Sequence, residues 1–274
     1  MGKYCAVVSA LLATAGVLCL AQDHSGTPVF EVASVKPSSS TAQGSSVRLT
    51  PGGRLVAQNA TLQLLVTTAY QIRDFQLIGG PSWVRSERFD IEAKPSGNPN
   101  ADQVSEMLQV LLADRFHLAA HRETKELPVY RLLQAKGEPK LSPSREGSCT
   151  PMVPPPLHPD PATLRPCGGF NLARNFLMGG GASVEKLAAS LSRVLGQTVL
   201  DRTGIEGSYD ITLRWTPDDT QAFLSPANPP ETKFDDSGPS LFTAIQEQLG
   251  LRLEAGRGPV EVLVIDRAEH PSAN

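Results

Sequence analysis

The chain is poor in the residues that usually announce chemistry. Of its 274 residues only four are cysteine, aromatics make up 5%, and charged residues make up 19% with a formal net charge of −3. With so small a charge and no basic stripe interleaved with aromatics, nucleic acid is not an expected partner. There is no Cys-X-X-Cys pair, which excludes a thioredoxin-like redox site, and no H-E-x-x-H helix, which excludes the familiar zinc hydrolase signature. Ordinary apolar and charged fractions leave a globular protein as the expectation.

Long apolar runs are also missing, apart from one at the start. Lys3 supplies a positive charge, Ala6 to Leu20 form an apolar stretch short for a membrane span, and Cys19-Leu20-Ala21 makes a small-residue cleavage site before Gln22. Residues 1–21 therefore read as a secretory signal peptide, which predicts an exported chain, periplasmic or extracellular, that is not integral to the membrane after cleavage. A retained membrane anchor is the alternative. Lipidation at Cys19 is disfavoured because Leu18 is bulky where a small residue is usual. Export would leave Cys149 and Cys167, and in an oxidising compartment such a pair reads as a disulfide, with two free thiols as the alternative. Closing a loop of this length constrains the unfolded chain by roughly 3 kcal/mol in the entropy model.

What the sequence does have is an internal echo. Gly52-Gly53, Leu55-Val56-Ala57, then Thr61 and the run Leu62, Leu65, Val66, Ala69 are answered by Gly168-Gly169, Phe170-Asn171-Leu172, then Ser183 and Val184, Leu187, Ala188, Leu191. Thr61 and Ser183 are placed to cap helices. The alternating Phe89 to Ala93 matches Tyr209 to Leu213, as half-buried strands require. Val104, Leu108, Leu111 and Leu112 match Leu241, Ile245, Gln248 and Leu249. Phe116, Leu118 and Ala120 match Leu251, Leu253 and Ala255, and the run from Pro128-Val129 matches that from Pro259-Val260. The unit reads helix, strand, strand, helix, strand, strand.

These features predict an α+β fold of two pseudo-repeats, each a small antiparallel or mixed sheet with two helices on one face. The first repeat spans 22–135 and the second 169–274. Between them, 136–168 is a Pro-rich linker, where Pro154-Pro155-Pro156 excludes helix and interior strand. A second insertion, Thr216 to Pro239, carries Asp218, Asp219, Glu231, Asp235 and Asp236 but lacks the spacing and glycine of a calcium-binding EF-hand.

Few constellations carry chemistry. His117, His121 and Glu123 fall at alternate positions of one predicted strand, so they share a face on which two imidazoles and a carboxylate could ligate zinc or iron. The plainer reading is the wet face of a sheet whose apolar face is Phe116, Leu118 and Ala120. Ser183-Val184-Glu185-Lys186 matches the S-x-x-K of penicillin-interacting enzymes, but S-D-N and K-T-G are absent. Capping explains Ser183 and Thr61 alike. Asp201-Arg202 and Asp114-Arg115 place an arginine where it could bind an anion, with turn chemistry as the alternative. Arg122 and Glu123 lie on a hairpin, His121 to Glu126, that is longer in the first repeat than in the second. No cofactor is expected.

Several of these phrases carry a family resemblance. Phe30-Glu31-Val32-Ala33-Ser34-Val35-Lys36-Pro37, Leu112-Ala113-Asp114-Arg115-Phe116, His121-Arg122-Glu123, Glu126 to Tyr130, Val199 to Gly204, Tyr209-Asp210 and the tail from Ser240 to Asp266 together resemble the soil-associated protein family. That resemblance covers essentially the whole mature chain and implies an exported bacterial protein with a domain of unknown function. Related domains attached to membrane-bound metallopeptidase sensors of the antirepressor type imply an extracytoplasmic sensing or binding role. A looser architectural likeness is to the short N-terminal domains of secretins and TonB-dependent receptors. The resulting expectation is a non-enzymatic binding or interaction module of the cell envelope, with a cell-envelope protein or peptide as partner. The alternatives are a hydrolase or metal-dependent enzyme and an extracytoplasmic ligand sensor.

Overall fold

A computed structural model describes residues 29–39, 44–50, 52–151, 165–217 and 238–271. The segment read as a signal peptide and most of the acidic insertion lie outside the described residues.

The fold is mixed helix and sheet, with five helices and three four-stranded sheets among the described residues. In the first half, β1 (Phe30–Pro37), β2 (Ser46–Thr50), β3 (Arg54–Thr61) and β5 (Arg88–Pro95) form an antiparallel sheet in the order β1-β5-β3-β2. In the second, β7 (Ser142–Pro143), β8 (Asn171–Leu172), β9 (Phe176–Ala182) and β11 (Tyr209–Arg214) form another in the order β7-β11-β9-β8. The linker thus contributes an edge strand, where a proline removes no interior ladder bond.

The third sheet corrects the expectation that each half keeps its strands to itself. Its order is β10-β6-β12-β4, built from β4 (Leu77–Gly79) and β6 (Ala119–Gln134) of the first half and β10 (Val199–Asp201) and β12 (Leu251–Arg267) of the second. The long β6 and β12 pair antiparallel along their lengths. Each short strand crosses to the other half's long one, β4 running parallel to β12 and β10 parallel to β6. Where two successive strands were expected at the end of each half, a single continuous strand runs. The expected hairpin from His121 to Glu126 is likewise continuous strand in the first half of β6, because every residue there finds a ladder partner on β12.

The helices start where side chains satisfy the first free amides. α1 (Leu62–Ala69) is capped by Thr61, whose hydroxyl accepts from Leu64 N–H at 3.2 Å, and α4 (Val184–Leu195) by Ser183, accepting from Lys186 N–H at 3.3 Å. α3 (Ala101–Phe116) has a reciprocal box in which Asn100 and Gln103 each accept the other's N–H at 2.9 Å. Ser240 caps α5 (Leu241–Leu249), and a 3-10 turn, η1 (Asp74–Gln76), and the short α2 (Trp83–Ser86) flank β4.

Two cores follow from this weave. The first joins α1 and α3 residues to Phe89, Ile91 and, from β12, Leu263 and Ile265; the second joins α4 and α5 residues to Leu177, Ile211, Trp215 and, from β6, Leu132. Each half therefore fills part of the other's interior. Trp83 meets Phe89 edge-on at 6.3 Å and stacks on His270 at 4.3 Å.

Candidate functional site

The histidines expected on one strand separate. α3 runs on through Phe116, and His117 is its left-handed C-cap with φ +46°, so it precedes β6 instead of joining it. Its Nε2 lies 3.9 Å from Glu269. His121 and Glu123 do share a face of β6, with Nε2 to Oε2 at 4.0 Å, but the shorter contact of His121 is from Nδ1 to Asp266 of β12 at 2.8 Å, while Lys125 lies 3.2 Å from Glu123. These side chains form an exposed row along β6 with one cross-strand contact to Asp266, and among the described residues no group of three His, Cys, Asp or Glu is placed to hold a metal ion.

Arg122 points to the opposite face, where it pairs with Glu261 and donates to the carbonyl of Tyr70 at 3.4 Å. Burial raises the Tyr70 hydroxyl pKa against the opposing pull of the Arg122 charge. Asp201 ends β10 and turns back on itself, its Oδ1 accepting from Thr203 N–H at 2.9 Å and Thr203 Oγ1 at 2.8 Å. Arg202 is exposed, its backbone N–H donating to the Leu132 carbonyl. His121, Arg122 and Asp201 are thus on separate surfaces. Lys186, one turn from Ser183, donates from Nζ to the Gly168 carbonyl at 2.5 Å, a tie between helix and loop that leaves the serine as a cap.

Cys149 and Cys167 are disulfide-bonded across 18 residues. The bridge lies against β9: a Cβ on Gly180 would come within 2.6 Å of that of Cys149, and one on Gly179 within 2.1 Å of the Gly169 carbonyl oxygen. Beside it stands Asp210, which the search for catalytic groups missed because it looked like one polar position of a half-buried strand. Burial alone would raise the Asp210 carboxyl pKa. Hydrogen bonds from Ser148, Ser144 and Gly181 N–H, with Arg165 beyond them, instead hold it below the usual carboxylate value. A half-buried carboxylate thereby pins both ends of the linker to the second sheet.

The concave surface lies elsewhere, along α4. A cleft of about 820 Å³ is lined by Thr67 and Thr68 at the end of α1, by Ile72, Arg73 and Phe75 around η1, and by Arg193 of α4. It shares Arg73 and Phe75 with a second cleft of about 560 Å³ that follows α4 through Ala188 and Ser192 to β10. That one shares Glu185 and Asp201 with a third, of about 380 Å³, beside the 204–207 turn. Burial first, then the charge of Arg193, lowers the pKa of Arg73, with Asp74 opposing. Two arginines face one groove, and neither has an ion pair within 4.0 Å among the described residues. Sequence reading missed them because one sits on a helix and the other beside a 3-10 turn, with nothing local to link them.

These observations define a mixed helix-and-sheet protein, disulfide-linked, in which no helix of the described residues is long and apolar enough to cross a membrane. The chain belongs to the DUF3738 family, described as proteins of unknown function, whose model matches residues 63–268. No curated protein and no solved structure matches it.

Proposed function

We propose that the protein is an exported, non-enzymatic binding module of the cell envelope, assembled from a duplicated helix-and-strand unit, whose partner is a protein or peptide segment lying along α4. The observation that carries this reading is the run of three communicating clefts on α4, basic at Arg73 and Arg193 and acidic at Glu185 and Asp201. Exposed imidazoles outside it lie beside carboxylates, His117 by Glu269 and His121 by Asp266 and Glu123. A disulfide suits the oxidising compartment that the N-terminal segment implies. Such a groove favours an extended segment with an acidic group at the arginine end, since arginine binds carboxylates through a planar fork of donors.

The test is thermal unfolding of the purified 22–274 chain against a library of short peptides, because a ligand that binds only the native state raises its stability. Peptides that raise Tm for this chain and no longer do so for Arg73→Ala/Arg193→Ala support the reading. Turnover on a panel of peptidoglycan, peptide, ester and glycan substrates, with no peptide raising Tm, overturns it.

A further inference from the structure

At the C-terminal end of α4 two cations share one cleft. Arg73 and Arg193 both line the cleft of about 820 Å³, and among the described residues neither guanidinium donates a hydrogen bond or forms an ion pair. Arg122 and Arg131, by contrast, rest on Glu261 and Glu254. Arg193 stands in the last turn of α4, where a positive charge suits the helix dipole. That account does not reach Arg73. The carbonyls of Val66, Thr67, Thr68 and Ala69 at the end of α1 already accept from the N–H groups of Tyr70, Ile72 and Gln71 and from Gln109 Nε2. Arg73 is also partly desolvated and feels the charge of Arg193, both of which work against its own charge. An anion between the two relieves a repulsion built into the fold.

The lining narrows what that anion is. Thr67 and Thr68 commit their hydroxyl protons to the Leu64 carbonyl at 3.1 and 2.7 Å, and the Gln71 amide donates to Asp102 and Ser105 at 3.4 and 3.3 Å. The side-chain donors left to a ligand are the two guanidiniums, which favour an oxyanion. The charged side chains of the lining are Arg73, Arg193 and Asp74, so one positive charge is in excess. That excess matches a carboxylate, whereas a phosphate monoester brings about two negative charges near neutral pH. Half-buried Ile72 and Phe75 lie beside the arginines, so the carboxylate is expected with an apolar neighbour.

The groove runs on along α4 and is blocked at its other end. Toward β10 the cleft passes Arg73 and Phe75 into its neighbour. On the opposite side stand Gln71 and Ile72, and past them lies a cleft lined by Asp102, Glu106 and the Arg122–Glu261 pair, acidic in sum. The Gln71 side chain, held to Asp102 and Ser105, lies across that way. A segment that follows α4 therefore stops at the arginines. We propose that Arg73 and Arg193 hold the free C-terminal carboxylate of a partner peptide whose last side chain is apolar and seats against Ile72 and Phe75. This rests on the reading of α4 as a peptide-binding surface and names which end of the peptide the arginines hold.

The experiment follows binding of the 22–274 chain, by anisotropy, to N-terminally fluorescein-labelled pentapeptide mixtures with randomised positions and a final leucine, made as the free acid and as the amide. A third mixture is an amide with aspartate at the middle position. The free acid should bind at least about tenfold more tightly than its amide, the effect of hydrogen bonds to a charged group. Arg73→Gln/Arg193→Gln should remove that difference with Tm unchanged, and asparagine in place of the final leucine should weaken the free acid several-fold. Equal binding of acid and amide, or a difference that survives Arg73→Gln/Arg193→Gln, overturns the proposal. N-acetyl-leucine competing as tightly as the peptide also overturns it, since the site would then belong to a small acid. If the internal-aspartate amide binds as tightly as the free acid through the same arginines, or if no mixture binds while library peptides still raise Tm, this inference fails and the peptide-binding reading stands.

Discussion

The two outer sheets reach the same order of strands by different means. Both carry an irregular step in the ladder, between Ala57 and Ala60 in the first and between Tyr209 and Ile211 in the second. In both, a residue in the left-handed region donates its N–H to an aspartate of the neighbouring strand: Asn59, φ +52°, to Asp90 at 2.8 Å, and Gly181, φ +60°, to Asp210 at 3.2 Å. Around that shared clamp the first sheet has eight-residue strands β1, β3 and β5, whereas the second has two-residue strands β7 and β8 at its edges. Short edges supply few ladder bonds, and the second sheet compensates with the disulfide and with the serine and arginine contacts of Asp210. The same strand order can thus be held by backbone pairing or by covalent and side-chain ties.

The sharpest way to break the comparison is to ask whether the two sheets are separate at all. Leu132 is fully buried in the second core and Leu263 is 1% exposed in the first, each donated by a strand of the other half. Leu132→Ala and Leu263→Ala should each cost about 2–5 kcal/mol, and the loss should appear in both halves at once. Trp83 lies against the first core and Trp215 in the second, so single-tryptophan variants can follow each half during urea unfolding. Coincident transitions are expected; a Leu263→Ala transition confined to Trp83 would show independent halves.

Next in size is the disulfide. Cys149→Ser/Cys167→Ser should lower stability by about 3 kcal/mol in the entropy model, read as a lower urea midpoint that reductant no longer changes.

Close approach gives a matched pair. Gly179 faces Ile211 as Ala57 faces Ile91, yet the second sheet leaves no room for a methyl. Gly179→Ala should cost about 1–3 kcal/mol through overpacking, read as a lower urea midpoint, although its counterpart Ala57 carries that methyl without strain. An unchanged midpoint would mean that the loop at 168–170 yields freely.

The smallest expected effect is on pH dependence. The Asp210 carboxyl is held low in the folded protein, so the unfolded chain takes up its proton at a higher pH. Its contribution is fully present above the ordinary carboxylate range and is lost as pH falls through the folded value. Asp210→Asn should flatten the acid side of a Tm against pH profile. An unchanged acid side would show that the serine and arginine contacts do not stabilise the charged form.

Local chemistry was legible in the sequence because it acts over a few residues. Thr61 and Ser183 cap their helices as their hydroxyls and positions foretell. The Cys149–Cys167 bond follows from an expected oxidising compartment and a pair with no other partner. The alternation at Phe89 to Ala93 and Tyr209 to Leu213 reads correctly as half-buried strand. His117 was misplaced because alternation cannot tell the last turn of a helix from the first residue of a strand, and a left-handed cap on a non-glycine residue has no strong sequence signal.

What the sequence by itself determined is where elements begin, end and turn apolar faces inward, since propensity, capping and periodicity are written in neighbouring residues. Only the tertiary structure decided which strands meet. β4 and β10 change sides, β6 and β12 run together for their whole length, and Arg73 comes to face Arg193. Pairings over such separations depend on how whole layers bury their apolar faces against one another, and no local pattern encodes that choice.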